Sequence, residues 1–382
     1  MARDLIISCF ARAGQSQLNA AGLKMMRPED AFPINKLTNS VDVIAIEKGM
    51  AGHVRSPSGT YCNGGDVWGG FCFDQIAEKL RASGGGSILR GAILSKGLNP
   101  ADYEGGRIAL IAFSAGHTMA RHILNSADAE KIDTVISLDG IAFSKVNGNL
   151  IDDQGWMNFA RRSCGIDRMG ANRNPYLGPM MVVAHTRIAP ASAAVAATYQ
   201  SSERIFWRLT EDYMKKLASV PRSFVEQMAK AQQEIMSRVS RSLDVLPWPL
   251  TINCAGSKTF SRAAANPSRT GYLGNLWDLE WSGTQGADHC FIAYVAQRVI
   301  VESYLIPRWN STDTSVAGLG SEALTNGSVT FQSPSYTARG GGVVNPGSLG
   351  PANFSVPTLA LGALAAYGGY WLGKRWYAKK RK

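Results

Sequence analysis

The chain has 382 residues, 45% of them hydrophobic and 18% charged, which is enough apolar material for one large or two ordinary cores and excludes a disordered polymer over most of the length. The net charge of +11 is largely a tail effect, because KRWYAKKRK at 374–382 holds six of the 40 basic residues and no acid, leaving 34 against 29 in the body. Without a dense basic stripe and interleaved aromatics, the body does not read as a nucleic-acid binder.

In chain order, MARDLIISCFARAG opens with an apolar run of only six residues, 5–10, too short for the hydrophobic region of a signal peptide and suited to a buried strand. Strand-like and helical stretches then alternate. LIISCF is followed by a polar-capped helical segment over 15–26; VDVIAIE by FCFDQIAEKLRAS; RIALIAF by GHTMARHILNS; then come DTVISLD and PMMVVAH. Continuous apolar strands separated by helices predict a doubly wound, mostly parallel α/β sheet covered on both faces, with residues 1–310 forming its domain.

Residues 190–247 interrupt that rhythm. SSERIFWRLTEDYMKKL carries Ile205, Phe206, Leu209, Tyr213, Met214 and Leu217 at helical spacing, and SFVEQMAKAQQEIMSRV repeats the pattern after Pro221. Two amphipathic helices are expected there, forming either a covering layer or a lid whose apolar face would include Phe206, Met214, Phe224, Met228 and Met236.

Residues 311–355 are rich in Gly, Ser, Thr and Asn and read as a linker. The run VPTLALGALAAYGGYWLG at 356–373 is uncharged, and as a helix its 18 residues would extend roughly 27 Å, enough for a thin hydrocarbon layer. Tyr367, Tyr370, Trp371 and Trp376 stand beside the basic tail, as interfacial aromatics do. A C-terminal transmembrane anchor is therefore expected, with membrane lipid as the partner of 356–382; packing against a protein partner or a second copy is the alternative. Nucleic acid is a partner only for the tail, if for any part.

The sharpest chemical signal is Ala112-Phe113-Ser114-Ala115-Gly116-His117, directly after RIALIAF and directly before a helical run. Small residues around a serine at a strand-to-helix junction permit a tight turn that exposes the hydroxyl above the sheet beside a helix N-terminus. Here the chain resembles the α/β-hydrolase superfamily of serine esterases, lipases and peptidases, whose nucleophile elbow is G-x-S-x-G, with Ala112 in place of the first glycine. The resemblance implies a base late in the chain, and His289, after the strand-like run 276–282, fits it better than His53, His117 or His122; His185 is its rival. It also implies a strand-end carboxylate. Asp139 in LDGI is the choice, with Asp278, Glu280 and Asp288 left open. The oxyanion hole would take the N–H of Ala115 and that of Ala11 or Arg12. The implied activity is cleavage of an ester, or less readily an amide, in a small-molecule or lipid acyl substrate, through an acyl-enzyme. The alternative from another class is an inactive hydrolase-fold structural or interaction protein of a virion or cell envelope.

Neither a cofactor nor a metal is expected. SGGGS at 83–87 reads as a helix stop, and GGDVWGG at 64–70 lacks the Lys-Ser/Thr of a phosphate loop. The five histidines form no H-x-x-x-H pair and the six cysteines no C-x-x-C pair. Cys62 and Cys72 are spaced to bridge a loop, but six free thiols in a reducing compartment is the simpler expectation. Asp152 with Asp153, and Asp128 with Glu130, are expected at the solvated surface.

Overall fold

Six apolar stretches pair in parallel, five of them buried along both faces as in a sheet layered between helices, while the edge strand at 41–47 buries Ile44 and Ile46 on one face. They are β1 (Asp4–Phe10), β3 (Val41–Glu47), β4 (Ile108–Phe113), β5 (Ile132–Leu138), β8 (Met180–Thr186) and β12 (Leu276–Trp281). A seventh strand, β11 (Arg269–Leu273), runs antiparallel to β12, and the spatial order is β11-β12-β8-β5-β4-β1-β3, while β6 (Lys145–Val146) and β7 (Asn149–Leu150) form a separate antiparallel pair. The β11–β12 turn needs its glycine: Gly274 has φ 56°, and a Cβ there would lie 2.5 Å from the carbonyl oxygen of Cys164. The computed structural model describes residues 2–10, 19–20, 34–55, 59, 61–62, 71–139, 145–146, 149–150, 154–165, 178–186, 222–253, 257–281 and 286–310.

Strand alternation divides the core in two. On one face, Leu5, Ile7, Leu110, Val135 and Met181 pack under α1 (Phe71–Ser83), α2 (Ile88–Ser95), α3 (Gly116–Leu124) and α4 (Gln154–Cys164). On the other, Ile6, Ile111, Ile136, Val182 and Leu279 meet α5 (Arg222–Asp244) and a last helix over 286–310, which begins as α6 (Gly286–Phe291). Each fully buried Leu, Ile or Phe contributes roughly 1.5–3 kcal/mol, so the two-sided core favours apolar residues along these strands, and charged residues buried there, such as Asp4 and His185, are paired, with Arg107 and Asp278. The doubly wound α/β expectation holds at this level.

Four expectations meet the structure here. The second of the two expected helices after residue 190 is α5, and its Ile235, Val239 and Leu243 are buried in the core as a covering layer; the first, over 201–217, lies outside the described residues. The segment 15–26 was expected to be helical, but Asn19–Ala20 forms a short strand, β2, antiparallel to β9 (Leu250–Asn253), which also pairs with β10 (Ser257–Phe260). Partner hydrogen bonds from a distant strand override a local pattern that short. Asp128 is buried rather than solvated, and its carboxylate accepts from the Ser87 hydroxyl (2.6 Å) and from the backbone N–H of Ile88 (2.8 Å) and Leu89 (3.2 Å), capping α2. Finally, Cys62 and Cys72 form a disulfide, their Cα atoms 5.7 Å apart and within bridging range, with Cys72 on the first turn of α1. Cys290 is also disulfide-bonded, whereas Cys9 and Cys164 are buried thiols outside any disulfide.

Among the described residues, one helix, Asp288–Asn310, is long and apolar enough to cross a membrane, yet 83% of its apolar window is buried inside the fold, as in a core helix. The expected anchor at 356–373, the linker and the basic tail lie outside the described residues.

The far end of that core helix is clamped to the sheet by charge. Asp133 accepts from Arg308 (2.9 and 3.2 Å) and from Trp309 Nε1 (2.9 Å). Burial by itself would raise the pKa of Asp133, but the Arg308 charge and the bonds from Arg308, Thr134 and Trp309 outweigh it and hold the carboxyl below its usual range. A lowered folded pKa stabilises above the unfolded value and is lost as pH falls through the folded one. Asp133→Asn is therefore expected to cost about 2–4 kcal/mol at pH 7 by leaving Arg308 without its anion. Urea unfolding at pH 7 and at pH 3 checks this: the gap between variant and wild type should shrink at the lower pH, and an equal gap at both would refute the clamp.

Candidate active site

The chain order of the strands places a reversal between β1 and β4. From β1 the chain moves outward to β3, returns past β1 to β4, and then continues the other way to β5 and β8. In open parallel sheets, the crevice outside the carboxyl ends at such a reversal is where ligands bind. Ser114 is the first residue beyond β4.

Among the described residues, only two that are not glycine have a positive φ, and they are Ser114 (51°) and Asp139 (47°). Each stands immediately after one of two neighbouring strands, β4 and β5. Left-handed backbone costs an L-residue roughly 1–2 kcal/mol, so it persists only where the surroundings impose it. Those surroundings are visible: the Ser114 N–H donates to the carbonyl of Leu138 (3.2 Å), and the Asp139 N–H donates to that of Ala184 (2.7 Å). The sheet ladder thus continues one residue past each strand while the chain swerves upward.

Beyond Ser114 the chain enters α3 at once. The His117 and Thr118 N–H groups close the first turn on the carbonyls of Ser114 and Ala115 (both 3.1 Å). The N–H groups of Ala115 and Gly116 bond to no described residue, which leaves them at the positive end of a helix beside the serine hydroxyl. Ala11, the other expected oxyanion donor, lies outside the described residues, as does Arg12.

Asp139 and His289 come together across 150 positions of sequence, with His289 Nδ1 2.6 Å from Asp139 Oδ2. An ionised carboxylate only accepts, so Nδ1 carries the proton that bridges the pair. The Asp139 carboxylate also accepts from the Thr186 N–H (3.1 Å) and the Thr186 hydroxyl (3.0 Å). Burial pushes its pKa up, but the bond and charge of His289, the Thr186 N–H and the charge of His185 prevail, so the carboxyl is held below its ordinary value. The imidazole of His289 lies against Phe113, ring centroids 4.6 Å apart. Phe113 is the neighbour of Ser114 in the chain, so serine and imidazole share one corner of the site. No hydrogen bond joins Ser114 Oγ to His289.

The rival residues are engaged elsewhere. His185 Nε2 lies 2.8 Å from Asp278, with both side chains buried. Burial opposes a charge on His185, but Asp278, Glu280 and Asp139 outweigh it and raise its pKa. Asp288 receives Lys258 Nζ at 2.8 and 3.0 Å. Glu280 is buried on β12 and makes no bond to His289. Thr186 and Phe113 escaped the sequence reading. A threonine and a phenylalanine, each the last residue of a strand, carry no local mark of their role, which arises only from the strand beside them. Among the described residues, no group of three or more His, Cys, Asp or Glu could hold a metal ion.

Compared with protein-family models, with curated proteins and with solved structures, the chain matches none.

Proposed function

We propose that the chain is a serine hydrolase of the α/β-hydrolase type, cleaving an ester through an acyl-enzyme. The observation that carries this reading is the pair of left-handed residues, Ser114 and Asp139, at adjacent strand ends, with His289 bonded to the second and packed beside the first. Two strained non-glycine residues at one corner of a sheet are hard to account for by stability, and strain of this kind gathers at reactive sites.

In the proposed cycle His289 Nε2 takes the Ser114 hydroxyl proton as Oγ attacks the substrate carbonyl, with Asp139 stabilising the imidazolium. The tetrahedral oxyanion accepts from the Ala115 N–H, with Ala11 as the expected second donor. Collapse breaks the bond to the leaving alcohol, which takes the proton from His289 and leaves an acyl-serine. Water then repeats the steps and frees the acid. The chain order Ser114, Asp139, His289 agrees with that of the family. We further propose that 356–373 tethers this domain to a membrane, on the strength of its uncharged length, its aromatics and the basic tail that follows.

A fluorophosphonate probe applied to full-length protein in membranes tests both parts. Folded protein should be labelled and heat-denatured protein should not; the labelled band should pellet through carbonate washing and be released when the chain ends at residue 350. Absence of labelling on folded protein would overturn the enzyme in favour of an inactive binding module. A labelled band that is soluble without detergent would overturn the tether.

A further inference from the structure

His117 takes no part in the proton transfers above, yet it is buried in the helix that carries the serine turn, and both of its ring nitrogens are engaged. Nδ1 lies 2.8 Å from the carbonyl oxygen of Ser114, and Nε2 lies 2.9 Å from the hydroxyl of Ser137. A carbonyl only accepts, so Nδ1 bears the proton and donates it. The same carbonyl also takes the backbone N–H of His117, so two donors from one residue converge on it. Ser137 stands on β5, paired with Ala112 in the register of β4 and two residues before Asp139. The far face of the ring stacks on Trp156 of α4, centroids 5.3 Å apart.

We propose that His117 is a positioning residue that braces the strained turn of Ser114 against the strand bearing Asp139, and so sets the distance between nucleophile and acid. Resting on the serine-hydrolase reading, the inference assigns a role to a histidine that the triad leaves unused. A left-handed serine has no intrinsic preference for its conformation. What holds it must grip the peptide groups on either side of its φ and ψ, and the Leu138 carbonyl does so at the N–H while His117 does so at the carbonyl. The brace works only while Nε2 can accept from Ser137. Burial supports that state: it pushes the pKa of His117 down to about 3, against the opposing pull of the Ser114 carbonyl and the Asp139 charge, and the neighbouring His289 lowers it further. A ring that stays neutral across the working range can brace the site without titrating with it.

Two amide substitutions separate the two bonds, because the asparagine nitrogen can stand where Nδ1 does and the glutamine nitrogen where Nε2 does. His117→Asn keeps a donor for the Ser114 carbonyl; His117→Gln and His117→Leu lose it. With melting temperature measured alongside, His117→Asn should react with the fluorophosphonate within about fivefold of wild type. His117→Gln should fall by about 100-fold, the penalty of a displacement near 1 Å. His117→Leu should fall as far or fail to fold, and the Asn and Gln pair decides in either case. If His117→Gln labels as fast as His117→Asn, the brace is refuted. Imidazole 15N spectra of the wild type read the bond without any activity: Nδ1 should be protonated and Nε2 bare from pH 8 to pH 5. A ring that titrates within that range overturns the inference. Wild-type protein that shows the expected spectrum but never labels overturns the hydrolase reading alone.

Discussion

Ser114→Gly is expected to abolish fluorophosphonate labelling and yet to unfold at a higher temperature than the wild type. The hydroxyl is the only atom proposed to bond to substrate carbon, so its removal should lower hydrolysis on the order of 10⁵–10⁶-fold, the scale seen when a triad serine is deleted. Stability should move the other way. Ser114 has φ 51°, a conformation costing an L-residue roughly 1–2 kcal/mol that glycine adopts freely. Against this stands the greater freedom of glycine in the unfolded chain, about 0.5–1 kcal/mol. The net gain is then about 0.5–1 kcal/mol, and Ser114→Ala, which keeps the strain, should show no gain while being equally inactive. Urea unfolding with a labelling assay separates the cases. A Ser114→Gly protein less stable than Ser114→Ala would mean the turn is not under strain, and labelling that survives either change would dismiss Ser114 as nucleophile.

Asp139→Asn is expected to reduce labelling and turnover about 10⁴-fold with the fold intact. The magnitude follows the known cost of turning a triad aspartate into its amide, and the geometry gives the cause. Asp139 Oδ2 accepts the Nδ1 proton of His289 at 2.6 Å. The two Thr186 donors, at 3.0 and 3.1 Å, are fixed by the backbone of β8 and by their own hydroxyl. In the variant, the amide oxygen keeps the place of Oδ1 and accepts the Thr186 N–H, so the amide nitrogen takes the place of Oδ2 and faces both His289 and the Thr186 hydroxyl, which can turn to accept from it. A donor facing Nδ1 moves the imidazole proton to Nε2, where it blocks the base from taking the serine proton. Because asparagine tolerates a left-handed backbone almost as well as any residue but glycine, the φ of 47° at this position should survive. Labelling rates beside melting temperatures provide the check. If the variant reacts within tenfold of wild type, Asp139 does not orient the base, and Asp278 or Asp288 would have to be reconsidered despite their own partners.

Local pattern carried much of the architecture and part of the site. Runs such as RIALIAF and PMMVVAH are continuous because both sheet faces are covered, so parallel strands and their layer of helices were readable from the order of residues. Small residues around Ser114 announced a tight turn for the same local reason. Asp139 was the sequence's choice for the acid that meets His289, but sequence left three others open. Asp139, Asp278, Glu280 and Asp288 are chemically alike in sequence, and the choice depends on what lies across from each: Thr186 and His289 for the first, His185 for the second, Lys258 of β10 for the last. The same holds for Cys62 and Cys72, whose Cα separation of 5.7 Å does not follow from their spacing in the sequence. It holds for Asp128, drawn into the interior by the orphan N–H groups of a helix 40 residues earlier. It holds most plainly for Asp288–Asn310, whose composition alone would suit a membrane. Apolar surface leaves water for lipid or for protein with similar gain, so composition determines that such a helix is buried, and only the sheet laid against it decides in what.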